Sequence, residues 1–335
     1  MQETVTQLVH MCVATRRALS RKTRVLDLLR PALAAGLFFI AFLPIIMTKG
    51  ALVAKMINLQ YEAPDDTLRQ LVSSFYRFDY TGNALREVER ADRAQFRITL
   101  SGEGRYRFSD IEVPAFPVTV IGPSTKSFEA LSDGPISIFG WGMLPAGWAA
   151  LMGAEAANWI DKAFDARQVF GDSIMELRDR LIALNEPVQQ FKLANEAAAE
   201  IYRAVDGAPF EFTAIVDRWL VDDSDPDVDS LISESGLSPR QLERMTKRYY
   251  GMPPKKLARK YRALRAASRI AHGDSLDDTE LGLAFYDQSH LTREIKQFTG
   301  LTPGQLRAGK SALTKATMAG RGALGGKVSP LISDS

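Results

Sequence analysis

The sequence has little of what metal and redox chemistry usually requires. Among its 335 residues there is one cysteine, Cys12, and there are three histidines, at positions 10, 272 and 290. A single cysteine excludes a disulfide within the chain and a zinc site built from several cysteines. The carboxylates of residues 57–205 show no catalytic spacing. We therefore expect no catalytic residue, no metal site and no cofactor, and we expect that the protein is not an enzyme.

The chain also has little net charge, because 42 lysines and arginines stand against 40 aspartates and glutamates. The basic residues are unevenly distributed. Residues 236–272 hold eleven of them against one acid, whereas residues 273–310 hold four against six. A charge run is most often a solvated surface, but a basic stretch of this kind is also typical of contact with a polyanion. We expect a polyanion to bind the first stretch more tightly than the second.

Residues 235–307 contain one pattern twice, at an offset of 49 positions. Each copy has a capping residue, a leucine, an arginine, a lysine, an aromatic residue, a glycine, a proline and a second leucine in the same order. The pairs are Ser238/Asp287, Leu242/Leu291, Arg244/Arg293, Lys247/Lys296, Tyr249/Phe298, Gly251/Gly300, Pro254/Pro303 and Leu257/Leu306. A constant offset across so many residue types indicates an internal repeat.

Each copy predicts a helix that begins at a cap and ends at a glycine. Ser238 and Asp287 can accept hydrogen bonds from the free amides of a first turn, and Gly251 and Gly300 stand where such a helix would stop. A short helix and a tight turn precede each cap, which is the helix-turn-helix arrangement; its second helix enters the major groove of DNA. Residues 255–272 predict a linking helix of roughly 25 Å.

Residues 57–141 contain short alternating apolar segments bounded by glycine, proline and Asp-Gly, which predicts a β-sandwich or a small barrel. A fold of this kind can enclose a small-molecule cavity. The aromatic residues of this region line such a cavity or, as is more common, fill the core. Amphipathic helices are predicted near residues 174–184 and 191–205, and they pack on the sheet or form a dimer contact.

The two ends of the chain differ from the rest. Residues 31–47 are uncharged and mostly apolar, at the short limit of the roughly 17 to 25 residues that a membrane-spanning helix needs. A span with its basic flank inside the cell would place the DNA-binding half outside. Our preferred interpretation is that translation begins near Met56, and a membrane-tethered regulator anchored through residues 31–47 is the alternative. Residues 311–335 are rich in glycine, alanine and serine and predict a disordered tail.

The second copy of the repeat resembles the signature of the AraC/XylS family of bacterial transcription regulators. The matching residues are Phe285, Asp287, Ser289, His290, Arg293, Lys296, Gly300, Thr302, Pro303 and Arg307. Ala284 departs from the usual turn glycine, and Leu306 from the usual tyrosine. The resemblance covers residues 210–310, and residues 57–205 resemble, more weakly, the cupin-like sensor domains of the same family.

These resemblances imply an α+β fold in four parts. They are an N-terminal extension (1–56), a β-sandwich or cupin-like sensor or dimerisation domain with flanking helices (57–205), an all-α domain of two helix-turn-helix units joined by a linker helix (210–310), and the tail (311–335). The implied function is sequence-specific regulation of transcription in response to a small molecule. The implied partners are double-stranded DNA, RNA polymerase, an unidentified effector and a second copy of the chain, in the bacterial cytoplasm.

The family resemblance also implies which side chains contact DNA. Base contacts are expected from Arg240, Glu243, Arg244, Gln288, Ser289, Thr292 and Arg293, whose types can form specific hydrogen bonds with base edges. Phosphate contacts are expected from Lys247, Arg248, Lys255, Lys256 and Lys296. We expect the first copy to provide most of the affinity and the second to refine the length of the recognised site.

Overall fold

The computed structural model describes residues 56–153, 155–184, 186–203, 208–276 and 279–334. Within these ranges the chain forms ten β-strands in its first half and helices in its second half. The strands are β1 (Ile57–Glu62), β2 (Val72–Tyr80), β3 (Leu85–Glu89), β4 (Ala94–Ser101), β5 (Arg105–Phe108), β6 (Ile111–Pro114), β7 (Val118–Ile121), β8 (Phe128–Ser132), β9 (Ile136–Met143) and β10 (Ala163–Asp165).

Thirteen α-helices follow or interrupt the strands in the described ranges. They are α1 (Pro145–Met152), α2 (Arg167–Phe170), α3 (Ile174–Ala183), α4 (Pro187–Arg203), α5 (Phe210–Asp222), α6 (Val228–Ser235), α7 (Pro239–Tyr250), α8 (Pro254–His272), α9 (Glu280–Leu283), α10 (Gln288–Thr299), α11 (Pro303–Arg307), α12 (Ala312–Gly322) and α13 (Pro330–Ser333). Two short 3-10 helices lie at Asp66–Leu68 and Ala156–Trp159.

The strands form two antiparallel sheets, one with the order β1-β2-β9-β4-β7-β10 and one with the order β3-β8-β5-β6. The larger sheet is covered on one face by helices α1, α3 and α4, and its core there includes Phe96 and Trp141, whose rings stack with centroids 4.2 Å apart. Tyr76 and Ile138 lie on its other face and line the space between it and the smaller sheet. Because both faces are covered, β4 is buried along most of its length and not only at alternate positions.

The predicted fold class is confirmed: a β-sandwich with flanking helices precedes an all-α region with two helix-turn-helix units. The predicted linker helix of residues 255–272 is α8. The assignment of residues 57–205 and 210–310 to separate domains stays a prediction. The apolar segment 31–47, on which the membrane-tethered alternative depends, lies outside the described residues. Within the ranges that the structure covers, each helix is too short or too polar to cross a bilayer.

The prediction of a disordered tail at residues 311–335 is wrong. Residues 312–322 form helix α12, residues 330–333 form α13, and Leu313 and Leu331 are buried. Leu313 packs against Phe78 and Ile138 of the sandwich, whereas Leu331 joins the core of the first helix-turn-helix unit. The tail therefore connects both halves of the protein.

The small residues that favoured disorder in the sequence allow this close packing. A Cβ atom on Gly320 would come within 2.5 Å of the ring of Tyr61, so α12 lies directly against strand β1. Ser311 caps the helix by accepting a hydrogen bond from the backbone N–H of Thr314, and its hydroxyl donates to the Glu87 carboxylate at 2.6 Å. Composition alone does not reveal partners that are more than two hundred residues away.

The helical half is docked onto the sandwich through helix α8. Lys260, which is 2% exposed, donates hydrogen bonds from Nζ to the carbonyl oxygens of Asp92 (2.6 Å) and Ser124 (3.0 Å). Ala91, Ala263 and Phe298 form a small apolar cluster beside it. Burial lowers the pKa of Lys260 to about 7, since removal from water disfavours the charged amine.

We predict that Lys260 makes the free energy of unfolding rise with pH, and that Lys260→Met removes this contribution. Between pH 7 and pH 10.5 the unfolded chain binds the proton that folded Lys260 has lost, so stability rises with pH by at most about 1.4 kcal/mol per unit. Below the folded pKa both states hold the proton and the contribution is constant. Urea unfolding at pH 7.0 and pH 9.5 measures the slope.

The matched control is Lys255→Met, which removes an exposed amine from the same helix. Its pH slope should equal that of the wild type, and the slope of Lys260→Met should be smaller. Equal slopes for the wild type and Lys260→Met would contradict the assignment.

Candidate nucleic-acid interface

The first helix-turn-helix unit consists of α6, a turn at Gly236 and α7. Ser238 caps α7 in a reciprocal pair: its hydroxyl accepts from the backbone N–H of Gln241 at 3.4 Å, and the Gln241 side-chain oxygen accepts from the backbone N–H of Ser238 at 3.1 Å. Gly251 ends the helix with φ 79°. The cap and the terminating glycine predicted for this copy are both confirmed.

The second unit is formed by α9 and α10. The Asp287 carboxylate accepts from the backbone N–H of His290 at 2.6 Å, and Gly300 ends α10 with φ 74°. Ala284 stands in the turn with φ −66°, an ordinary right-handed conformation. An alanine is therefore compatible with this turn, although the family usually has glycine there.

Both second helices bury one face and present the other to solvent. In α7 the buried residues are Leu242, Thr246 and Tyr250, and in α10 they include Leu291, Glu294 and Phe298. The outward face of α7 contains every residue predicted there: Arg240, Glu243, Arg244, Lys247 and Arg248 are exposed. On α10, Gln288, Ser289, Arg293 and Lys296 are exposed and Thr292 is half-buried. The structure thus groups these residues on two accessible helix faces, and their contacts with DNA stay a prediction.

Two of the predicted contact residues already interact with each other. Lys247 Nζ lies 2.6 Å from a carboxylate oxygen of Glu243 one turn earlier. Both side chains are about half exposed, and exposed pairs of this kind contribute only about 0–1 kcal/mol. Glu243 can therefore leave this ion pair at small cost.

The remaining predicted phosphate contacts, Lys255 and Lys256, lie at the start of α8. Lys255 is exposed and Lys256 is half-buried.

His290 has a structural position in the second unit. Its Nδ1 accepts from the backbone N–H of Tyr286 at 3.2 Å, and its ring lies edge-on to Phe285. It holds the turn that leads into α10.

The basic stretch 236–272 does not consist only of exposed residues. Lys260 and Arg262 of α8 are buried, and Arg259 and Arg265 are half-buried. The reason is that α8 is enclosed between the two helix-turn-helix units and the sandwich, so little of its surface meets solvent. The positive charge available to DNA in this stretch is smaller than the sequence count indicates.

A buried ion-pair network joins the linker helix α8 to α10. Helices α7 and α10, the second helices of the two units, are called the recognition helices from here on. Glu294, which is 3% exposed, accepts from Arg259 Nη2 at 2.5 Å and lies 3.8 Å from Arg262 Nη2 and from His290 Nε2. Arg262 also pairs with Asp225 from the segment before α6. This network holds α10 on α8. Arg262 also connects the two units, because it contacts both Glu294 and Asp225.

Sequence reasoning did not find this network, although a signal was present. Glu294 stands between Leu291 and Phe298 at inward helical spacing, and Lys260 stands likewise between Leu257 and Leu264. A charged residue at an inward position indicates a buried partner. The partner itself is not visible in the sequence.

The sandwich contacts the C-terminal end of each recognition helix. A Cβ atom on Gly251 would come within 2.7 Å of Ile160, and one on Gly300 within 2.4 Å of Val88. The backbone carbonyl of Phe298 accepts from the N–H of Ala91 at 2.6 Å. The N-terminal halves of α7 and α10, which carry most of the predicted base contacts, are left accessible.

A second candidate site is a narrow cavity of about 60 Å³ between the two sheets of the sandwich. Its wall is mainly apolar and includes Leu131 and Ile138, and Leu313 of α12 closes part of it. The polar part contains Arg97 in a buried pair with Glu89, at 2.5 and 2.7 Å, and the unpartnered hydroxyl of Tyr106. Burial raises the pKa of Tyr106, so its hydroxyl is protonated and can donate. No group of three or more His, Cys, Asp or Glu side chains suited to a metal stands together in the described ranges.

Comparison with known proteins finds the helix-turn-helix units. A protein-family model described as "Helix-turn-helix domain" matches residues 231–309. The "Bifunctional transcriptional activator/DNA repair enzyme Ada" of Escherichia coli (strain K12) is 30% identical over 92 residues, which are 28% of this chain and 26% of Ada. The chain therefore matches about a quarter of the length of this curated relative.

Solved structures show weaker likenesses over longer stretches. ToxT from Vibrio cholerae is 10% identical with a TM-score of 0.41, over 69% of this chain and 97% of ToxT. The AraC-like transcriptional activator CuxR is 13% identical with a TM-score of 0.29, over 66% of this chain and 90% of CuxR. A cupin superfamily protein from Desulfitobacterium hafniense DCB-2 is 14% identical with a TM-score of 0.22, over 30% of this chain and 84% of that chain.

We predict that Glu294→Gln loosens the second unit while the first remains folded. The amide keeps the shape but removes the charge that Arg259 and Arg262 face, and a hydrogen bond to a charged group contributes about 1.5–3 kcal/mol. Hydrogen–deuterium exchange should accelerate in residues 288–299 and stay unchanged in residues 239–250. Glu280→Gln, at an exposed position of α9, is the control. Equal exchange in Glu294→Gln and the wild type would show that the network does not hold α10.

Proposed function

We propose that the protein is a sequence-specific DNA-binding regulator of transcription that responds to a small molecule. The match of residues 231–309 to a helix-turn-helix domain and the resemblance of the second copy to the AraC/XylS signature support this. The observation that carries the proposal is the pair of capped helices, α7 and α10, with their polar faces exposed. A helix fits the major groove of DNA and can read base edges from its N-terminal part. Two such helices, held by one linker helix, are suited to read two sections of one operator.

We propose a division of roles along each recognition helix. Arg240 and Arg244 lie one turn apart on the exposed face of α7, and a guanidinium group can form a bidentate pair with guanine. Gln288 and Arg293 occupy the corresponding face of α10. Lys255 and Lys256 lie in the first turn of α8. Phosphate contacts there would fix the position of the protein along the DNA without reading the base sequence.

We predict that Arg244→Ala weakens operator binding by about 1–3 kcal/mol and relaxes the preference at one base pair. Lys255→Ala should weaken binding to all sequences alike and reduce the salt dependence by about one unit of slope. Binding-site selection from a random DNA pool with the wild type supplies the operator, and mobility-shift titrations with both variants measure the effects.

The matched control is Arg218→Ala, which removes an exposed arginine of α5 that pairs with Glu234. It should bind the operator like the wild type. Unchanged affinity and unchanged base preference in Arg244→Ala would overturn the assignment of this residue. Absence of any selected sequence would overturn the proposed function.

The cavity of the sandwich supports the effector part of the proposal. It is mainly apolar, its polar part includes the unpartnered Tyr106 hydroxyl and Arg321 Nε, and it is closed in part by α12. We infer that the effector is a small, mostly apolar molecule with a polar group that accepts hydrogen bonds, and that its entry moves side chains because the space is narrow. RNA polymerase and a second copy of the chain stay predictions of the family resemblance.

We predict that filling the cavity makes the regulator unresponsive while it still binds DNA. Ala130 lines the cavity on β8, and Ala130→Phe would occupy the space of a ligand. A reporter gene behind the selected operator is measured across growth conditions; a condition that changes the output of the wild type at least about tenfold should change that of Ala130→Phe much less. Ile111→Phe, at a 68% exposed position, is the control. An equal response of Ala130→Phe would place the effector elsewhere.

A further inference from the structure

Buried positive charge is concentrated where the sandwich, the linker helix and the tail meet. Arg90 and Arg93 flank Asp92 in the loop between β3 and β4, Lys260 approaches from α8, and Arg321 approaches from α12. All five side chains are between 2% and 8% exposed. The cluster therefore holds four basic side chains and one carboxylate away from water, and the three arginines among them are the permanent charges.

The hydrogen bonds of the cluster leave much of this charge without a partner. Asp92 pairs with Arg321, Lys260 donates to two backbone carbonyls, and Arg93 donates from Nη1 to the carbonyl of Leu331 at 3.2 Å. Arg90 has no hydrogen-bond partner for Nε, Nη1 or Nη2. With Nε and Nη2 of Arg93 and Nε of Arg321, six of the eleven unpartnered buried side-chain atoms in the described residues belong to this cluster.

The two carboxylates of strand β3, which precedes the loop, already have partners other than the cluster. Glu87 accepts from the hydroxyl of Ser311, and Glu89 forms a bidentate pair with Arg97. Burial and the nearby Arg321 lower the pKa of Arg90 to about 10, so its guanidinium is still charged at neutral pH. A buried guanidinium that stays charged is unfavourable unless an anion accompanies it.

We propose that Arg90, Arg93 and Arg321 form a binding site for a small oxyanion, a phosphate or a carboxylate group. Guanidinium groups offer paired donors in a fixed plane, which match the oxygens of both anions. The cluster borders the cavity of the sandwich, because Arg321 lines that cavity together with Tyr61 and Gln95. The anion would occupy the side of the cluster where Arg90 stands without a partner.

A bound anion would connect two parts of the chain that contact the helical half, the loop of residues 90–93 and the tail. Arg90 and Arg93 belong to the loop whose backbone contacts Phe298 and Lys260, and Arg321 belongs to the tail. Neutralising the repulsion among these cations would strengthen the docking of the helical half on the sandwich. The site does not depend on DNA binding, and it can be tested on the isolated protein.

The test is thermal unfolding of the full-length protein in a Tris-chloride buffer at constant ionic strength. Sodium phosphate and sodium acetate are titrated separately against sodium chloride. We expect at least one oxyanion to raise Tm saturably, by about 2–4 °C, where chloride does not. Saturation by phosphate alone identifies a phosphate site, and saturation by acetate alone identifies a carboxylate site.

Arg90→Met should abolish the saturable shift, and in chloride its Tm should equal or exceed that of the wild type because an unpaired charge has been removed. Arg86→Met, which removes an exposed arginine from β3, should keep the shift. If Arg90→Met does not fold, Arg90→Lys, which keeps the charge but lacks the paired donors, should weaken the apparent affinity about tenfold. An equal shift in the wild type and the Arg90 variant, or no saturable shift by either oxyanion, would overturn the proposal.

Discussion

Four consecutive residues, Arg90 to Arg93, make the contacts on which the docking of the two halves depends. The N–H of Ala91 donates to the end of α10, the carbonyl of Asp92 accepts from Lys260 of α8, and the Asp92 carboxylate pairs with Arg321 of α12. One loop thus touches a recognition helix, the linker helix and the tail. Buried polar contacts of this kind are specific in geometry, because each unpaired group would be costly. The loop is therefore the one segment of the sandwich described above that holds all three of these elements through polar contacts.

The parts of the fold that local chemistry determines could be predicted from the sequence. Ser238 and Asp287 cap their helices, and Gly251 and Gly300 end them in the left-handed conformation that favours glycine. The spacing of apolar residues also identifies the inward faces of both recognition helices. These features depend on residues within one or two helical turns, so one stretch of sequence contains all the information. The same holds for the alternation that predicts the strands.

What the sequence could not provide are partners that lie far apart along the chain. Lys260 bonds to the carbonyl of Asp92 across 168 positions, and Ser311 bonds to Glu87 across 224. Without these partners Lys260 resembles any other basic residue of the stretch, and the tail resembles a disordered segment. Lys260 and the tail are misinterpreted for the same reason. Composition indicates the environment in which a residue type is found on average, whereas the burial of a given residue depends on which surface the fold places against it.

The place at which the sandwich touches the recognition helices limits how it can influence DNA binding. It contacts both at their C-terminal ends, near Gly251 and Gly300, and leaves Arg240, Arg244 and Gln288 exposed. The docked arrangement therefore does not cover the surface proposed to read bases. A change in the sandwich would act instead through the relative orientation of α7 and α10. Since two recognition helices on one operator must fit successive grooves together, a small rotation of one against the other is sufficient to alter affinity.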